Sequence, residues 1–335
     1  MPESPTAAPP APRYIEALNQ ALADAMEADA AVTLIGVDIG KGGGAYGVTR
    51  GLYDRFGERR VLDTPIAEAG VLGAAVGAAM AGLRPVAEIM YVDFITVCLD
   101  PIVNQAAKLR YMTGGGVRVP IVFRTQSGAG RSGGAQHSQS LEGLLAQIPG
   151  LDVYCPSDGR DAYDLLRAAI DADHPVCFIE NRRLYGKRHP GWDREPLPPG
   201  KARVVTEGDA VTVVTWGRMV HEVADALAGM DDAPSVELID LRTLVPLDVA
   251  TIVKSVAKTG CCLVVHEAVE QYGPGGEIVS QITEHALYEL DGPVRRYGAL
   301  PSPVPYSPGL EAAMLPSQDG IRDAIKGVVN RELRG

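Results

Sequence analysis

The chain has 335 residues, 46% hydrophobic and 22% charged, which suits an ordinary globular protein of two α/β units, each burying its own core. A formal net charge of −11 argues against nucleic acid and against an anionic membrane surface as partners, since both need clustered positive charge. Its five cysteines form no C-x-x-C pair and most sit in apolar runs, the pattern of reduced core thiols in a cytoplasmic protein.

Residues 1–12, MPESPTAAPPAP, carry five prolines and no basic cluster ahead of an apolar core, so they read as a disordered tail and not as a secretory signal. A helical pattern covers Arg13–Ala28, and AVTLIGVD (31–38) follows as a strand. Further strands are expected at RPVAEIM (84–90), VPIVFRT (119–125), LDVYCPS (151–157) and PVCFIEN (175–181). Helices are expected at Asp100–Met112 and Asp158–Ala172. The apolar stretch Ala69–Leu83 is too short to span a bilayer and runs into Arg84. A Pro-, Gly- and charge-rich linker (188–202) separates this unit, 13–187, from a second, 203–335. The second has strand-like runs at 210–217, 235–242, 261–269 and 294–300. Strands alternating with helices predict parallel sheets covered on both faces, hence two doubly wound α/β domains.

The glycine-rich stretch GVDIGKGGGAYG (36–47) after the first strand invites a phosphate-loop reading. It lacks the G-K-[ST] ending of a Walker loop, and AYGVTRG offers no helix directly behind a dinucleotide fingerprint. A turn-rich loop is the expectation.

Four motifs carry a resemblance: GVTRGLYDRFGERRVLDTPIAEAG (47–70), VGAAMAGLRPVAEIMYVDF (76–94), NQAAKLRYMTGG (104–115) and GGAQHSQS (133–140). With VELIDLRTLVPLD (236–248), they make the chain resemble, from about residue 14 to 330, the β subunits of thiamine-diphosphate-dependent 2-oxo acid dehydrogenase decarboxylase components. That family includes the β chains of pyruvate, branched-chain 2-oxo acid and acetoin dehydrogenases. The resemblance implies a transketolase-like pyrimidine-binding domain followed by a transketolase C-terminal domain. It also implies that an α subunit holds the diphosphate and Mg²⁺. The SDG at Ser157–Gly159, with Asn181 followed by Arg182, departs from the GDG…NN pattern of a magnesium site, as expected of a β chain.

By this resemblance Glu68 is the carboxyl that hydrogen-bonds the cofactor's aminopyrimidine, the step that lets the thiazolium lose its proton. A helix-N-terminal glutamate favoured by the macrodipole is the plain alternative. Ile66, Met90 and Phe94 match positions that pack on the aminopyrimidine. His137 matches the active-site histidine, whose near-neutral pKa suits proton transfer; otherwise it would cap a helix beginning near Ser138. Its lead-in SGAGRSGGAQ reads as a loop that orders around substrate. A monovalent cation such as K⁺, held by the carbonyls of Ile121, Ala169, Ile170, Ala172 and His174, is a further carry-over, although the usual acidic and amide residues are replaced at the last two positions. Val37 stands where the family keeps a glutamate in a carboxylate-lined proton channel, with Glu88 and Glu180 matched to its companions.

Gly70, Gly73 and Gly77, with Ala74 and Ala78, form small-x-x-x-small rows suited to close helix contact with a second β chain. The implied enzyme is a heterotetramer of two α and two β chains. It would decarboxylate a 2-oxo acid of pyruvate type, or cleave acetoin, and reductively acylate a lipoyl dihydrolipoamide acyltransferase. An α/β carboligase working without the acyltransferase stays open, and so does a non-catalytic assembly or regulatory subunit.

Overall fold

A computed structural model describes residues 11–292 and 294–332. The first ten residues of the proline-rich start lie outside the described residues. Ala11 is held, its carbonyl accepting from Arg188 Nη1 at 2.5 Å. Among the described residues no helix is long and apolar enough to cross a membrane.

Two sheets organise the chain. The strands are β1 Val32–Val37, β2 Val61–Thr64, β3 Arg84–Ile89, β4 Val122–Ser127, β5 Asp152–Tyr154, β6 Val176–Asn181, β7 Arg203–Thr206, β8 Val211–Thr215, β9 Val236–Asp240, β10 Thr243–Val245, β11 Cys262–Val269 and β12 Arg295–Ala299. The first sheet runs β10-β5-β6-β4-β3-β1-β2 and the second β12-β11-β8-β9-β7. Every pairing is parallel except β10 with β5 and β7 with β9. One strand of the second half, β10, therefore completes the edge of the first sheet.

Sequence explains the layers. The helix Tyr14–Ala28 turns Tyr14, Ala17, Leu18, Ala21, Leu22 and Ala25 inward at i, i+3, i+4 spacing and packs on Gly159–Asp171. The continuous burial of β4, β6 and β9 is that of central strands covered on both faces. One apolar cluster runs from Leu72 and Ala75 through Phe123 and Cys177 to Val214, Ile239, Val264 and Ile282, so the two halves share a core. All five cysteines are free and buried.

The expected helix at 100–112 is a π-helical turn, Pro101–Ala106, leading into an α-helix, Ala107–Met112. Residues 38–51 form successive turns: Gly44 N donates to the Asp38 carbonyl at 2.8 Å and Thr49 Oγ1 to that of Ile39 at 2.8 Å. The first helix after them, Leu52–Phe56, is only five residues long.

Ser157–Gly159 serves structure. Asp158 caps the helix Gly159–Asp171 through the Asp161 amide at 2.9 Å and pairs with both terminal nitrogens of Arg194 at 2.6 and 2.8 Å. Ser157 Oγ donates to Asp240 at 2.5 Å, joining the halves.

Candidate active site

The end of β3 supplies the first wall. The chain leaves Ile89 through Met90 and Tyr91 into a 3₁₀ turn, Val92–Cys98, which aims Phe94 outward while Val92, Ile95 and Cys98 are buried. Met90 and Phe94 are half-buried. The second wall is the loop between β4 and the helix Glu142–Ala146, which carries His137. His137 meets Phe94 and Tyr91 edge-on, each with ring centroids 5.4 Å apart. Tyr91 also shares a hydrogen bond with Tyr46 between hydroxyls 2.9 Å apart and lies 4.6 Å beneath the Arg182 guanidinium.

Arg182 then fixes the histidine's backbone. Its Nη2 donates to the Gly128 carbonyl at 2.6 Å and also to the carbonyl of His137. Gln139 is held by Asp93, which accepts from its backbone and side-chain nitrogens at 3.2 and 2.9 Å. The next helix begins at Glu142, four residues past Ser138, so His137 caps nothing. Its imidazole is half-buried and free to face a ligand.

Glu68 opens the helix Glu68–Met80 behind Ala67. Its carboxylate is half-buried. It stands close enough to Cys98 to act on it: burial first, and the Glu68 charge second, push that thiol up to about 12. Cys98 Sγ in turn donates to the Phe94 carbonyl at 3.5 Å. Ile66, two residues before Glu68, is 78% exposed. The first half thus carries an exposed aliphatic side chain, a half-buried phenyl ring, a half-buried carboxylate and an edge-on imidazole. Side chains of these types suit a flat heterocycle with a protonatable ring nitrogen. Sequence reasoning missed Tyr91, Asp93 and Arg182, whose roles arise from ring and backbone contacts that no local pattern encodes.

Glu88 and Glu180, matched to the companions of the glutamate that Val37 replaces, are buried. Both flank buried Arg124, whose Nη1 donates to Glu88 at 2.7 Å and whose Nε and Nη2 donate to Glu180 at 2.5 and 3.0 Å. Strand register explains the cluster, since Glu88 stands opposite Arg124 and Glu180 opposite Gln126. Val37 lies half-buried at the end of β1, opposite Thr64 of β2.

The carbonyls carried over for a monovalent cation include three that accept hydrogen bonds within the chain. Arg84 Nη1 already donates to the Ile170 and Ala172 carbonyls at 3.1 and 2.9 Å, and the Ile121 carbonyl accepts from Val176 N at 3.0 Å. The His174 imidazole pairs with Asp152 at 2.9 Å, a contact that raises its pKa. Among the described residues no group of three His, Cys, Asp or Glu side chains could hold a metal ion.

Comparison with known proteins places both halves of the chain in families. The transketolase pyrimidine-binding domain family matches residues 11–188, and the transketolase C-terminal domain family matches 200–321. The chain is 44% identical to the pyruvate dehydrogenase E1 component subunit beta of Rickettsia bellii, covering 93% of this chain and 97% of that one. It is 40% identical to the 2-oxoisovalerate dehydrogenase subunit beta of Bacillus subtilis, over 93% and 97% of the two chains. It is also 42% identical to the Bacillus subtilis acetoin:2,6-dichlorophenolindophenol oxidoreductase subunit beta, over 91% and 94%. A split-gene transketolase, crystallised as an inactive beta4 tetramer, shares the fold with a TM-score of 0.79 at 19% identity, over 96% and 99%.

Proposed function

Because this chain belongs to the family of β subunits of 2-oxo acid dehydrogenase E1 components, we propose that it acts with an α subunit as a thiamine-diphosphate-dependent dehydrogenase. The substrate is a 2-oxo acid of pyruvate type or acetoin, and the acyl acceptor is the lipoyl domain of a dihydrolipoamide acyltransferase. The observation that carries the reading is the edge-on contact of His137 with Phe94, whose carbonyl accepts from Cys98, the thiol that feels the Glu68 charge. A non-catalytic subunit has no use for that set.

Bound thiamine diphosphate supplies a nucleophilic carbon once its thiazolium proton is lost. Glu68 holds the proton shared with the aminopyrimidine ring nitrogen; a carboxyl partly shielded from water makes that hydrogen bond strong. Ile66 and Phe94 would pack against the aminopyrimidine ring, and Met90 would line the same pocket. His137, steadied edge-on by Tyr91 and Phe94, stands where it can deliver or accept a proton at the substrate's oxygen. The α chain covers Ile66 and the open side of the pocket and holds Mg²⁺ with the diphosphate.

The helix Glu68–Met80 supports the second β–β contact. Gly70, Gly73, Ala74 and Gly77 are exposed, and a methyl group built on Gly73 or Gly77 meets nothing within 4 Å, leaving room for a partner helix to approach. Co-expression with the α chain, followed by a panel of pyruvate, 2-oxoisovalerate and acetoin with thiamine diphosphate, Mg²⁺ and 2,6-dichlorophenolindophenol, tests the reading. Cofactor-dependent dye reduction with at least one substrate is expected. A stable α/β complex that reduces the dye with none would overturn it.

A further inference from the structure

The loop that carries His137 is held by the other half of the molecule. Ala129 N donates to Glu267 Oε1 at 2.7 Å, and Ala129 itself is buried with Ala299, Val304 and Met314 of the second half. Gly130 N and Ser132 N then donate to the two oxygens of Glu311, at 2.8 and 2.9 Å. Glu311 is only 3% exposed and projects from the helix Pro308–Met314. Gly134 lies so close to Tyr306 that an added Cβ would stand 3.0 Å from the ring.

These contacts all fall upstream of His137. Downstream, Gln139 is tied to Asp93, and the His137 carbonyl to Arg182, within the first half. His137 is therefore strung between two clamps, one from each half. The Glu311 clamp also sets the backbone: Ser132 is non-glycine at φ +54, a conformation an L residue adopts only when its surroundings hold it. One carboxylate spanning two amides of a glycine-rich turn forms such a hold.

We infer that Glu311 is a positioning residue for the reaction: the second half, through this one carboxylate, sets where His137 stands. The inference rests on the proposed function for the role of His137, but the anchoring stands on the hydrogen bonds alone. Glu267 anchors one amide and also binds Asn181 and Arg218, so Glu311 is the carboxylate that serves the loop through both of its oxygens.

The experiment uses the assembled α/β complex. In Glu311→Gln one acceptor becomes an NH₂ group that opposes a loop amide. Hydrogen exchange of peptides spanning 128–140 is expected to speed up about tenfold, with the rest of the chain unchanged. Turnover should fall roughly 10- to 100-fold, as misplacing a proton-transfer group does, while KM and thiamine diphosphate affinity change less than about twofold. Glu311→Asp keeps both acceptors and should recover part of the turnover. If Glu311→Gln does not fold, Tyr306→Ala, at an exposed side chain, replaces it with the same expected direction for exchange and turnover.

Unchanged exchange at 128–140 overturns the anchoring, and faster exchange with wild-type turnover overturns the positioning role. If the wild-type complex turns over no substrate, the functional reading fails by itself, and the exchange measurement still decides whether Glu311 holds the loop.

Discussion

Replacing Arg124 by methionine tests how the first sheet carries charge in its interior. The guanidinium is 1% exposed, and the two carboxylates it joins are 4% and 0% exposed. Tyr185 also donates to Glu180 at 2.5 Å, and Gln126 to Glu88 at 3.2 Å. Methionine nearly preserves the volume, so the loss is electrostatic: two buried carboxylates without a counter-charge. Removing one partner of a buried ion pair costs about 3–5 kcal/mol, and here one arginine serves two acids, so the upper end applies.

For a domain of this size that lowers the melting temperature by roughly 10–15 °C. The sign of the pH dependence follows from Glu180, whose burial already raises its pKa. Without Arg124 it rises further. A carboxyl raised on folding contributes stability at low pH that is lost as pH climbs through its folded value, so the deficit should be larger at pH 8 than at pH 5. Calorimetry at both values checks this, and the triple change Arg124→Met, Glu88→Gln, Glu180→Gln should regain most of the loss. A variant melting within about 2 °C of wild type at pH 8, or an equal deficit at both pH values, would refute the reasoning.

Three further outcomes are expected. Glu68→Gln should reduce turnover by about 10²–10⁴-fold with little change in assembly, read by steady-state kinetics and light scattering of the α/β complex. Gly73→Leu, at an open position on the helix 68–80, should fill the approach of the second β chain and shift the complex to single α/β pairs by sedimentation, with melting of the β chain alone unchanged. Burial raises the pKa of Glu142 to about 7, and one of its oxygens has no hydrogen-bond partner. Stability should therefore decline by about 3 kcal/mol as pH rises from 4.5 through 7, and Glu142→Gln should flatten that slope in urea titrations; an unchanged slope would assign it elsewhere.

The long, doubly buried strands and the helices at 14–28 and 159–171 are legible in the sequence because apolar period and length both mark them. β2, β7 and β10 are not. Each is three or four residues long, and β2 and β7 are partly exposed, so none carries a pattern beyond its flanking turns. Glu68, Phe94 and His137 are legible only through long motifs; by composition they are a helix-end acid, a core aromatic and a loop histidine. Glu88 and Glu180 are singled out through the resemblance, but only strand register reveals Arg124 between them.

β10 bears on how the chain could be made or cut. Residues 243–245 supply the strand beside β5, so a ribosome must extend the chain some ninety residues past β5 before the sheet's outer row of amides and carbonyls is paired. A fragment ending in the 188–202 connection would keep Ile66, Glu68, Met90, Phe94 and His137 and still expose a raw β edge, which other chains could extend into aggregates. The natural place to divide this protein in sequence is the wrong place to divide it in an expression vector.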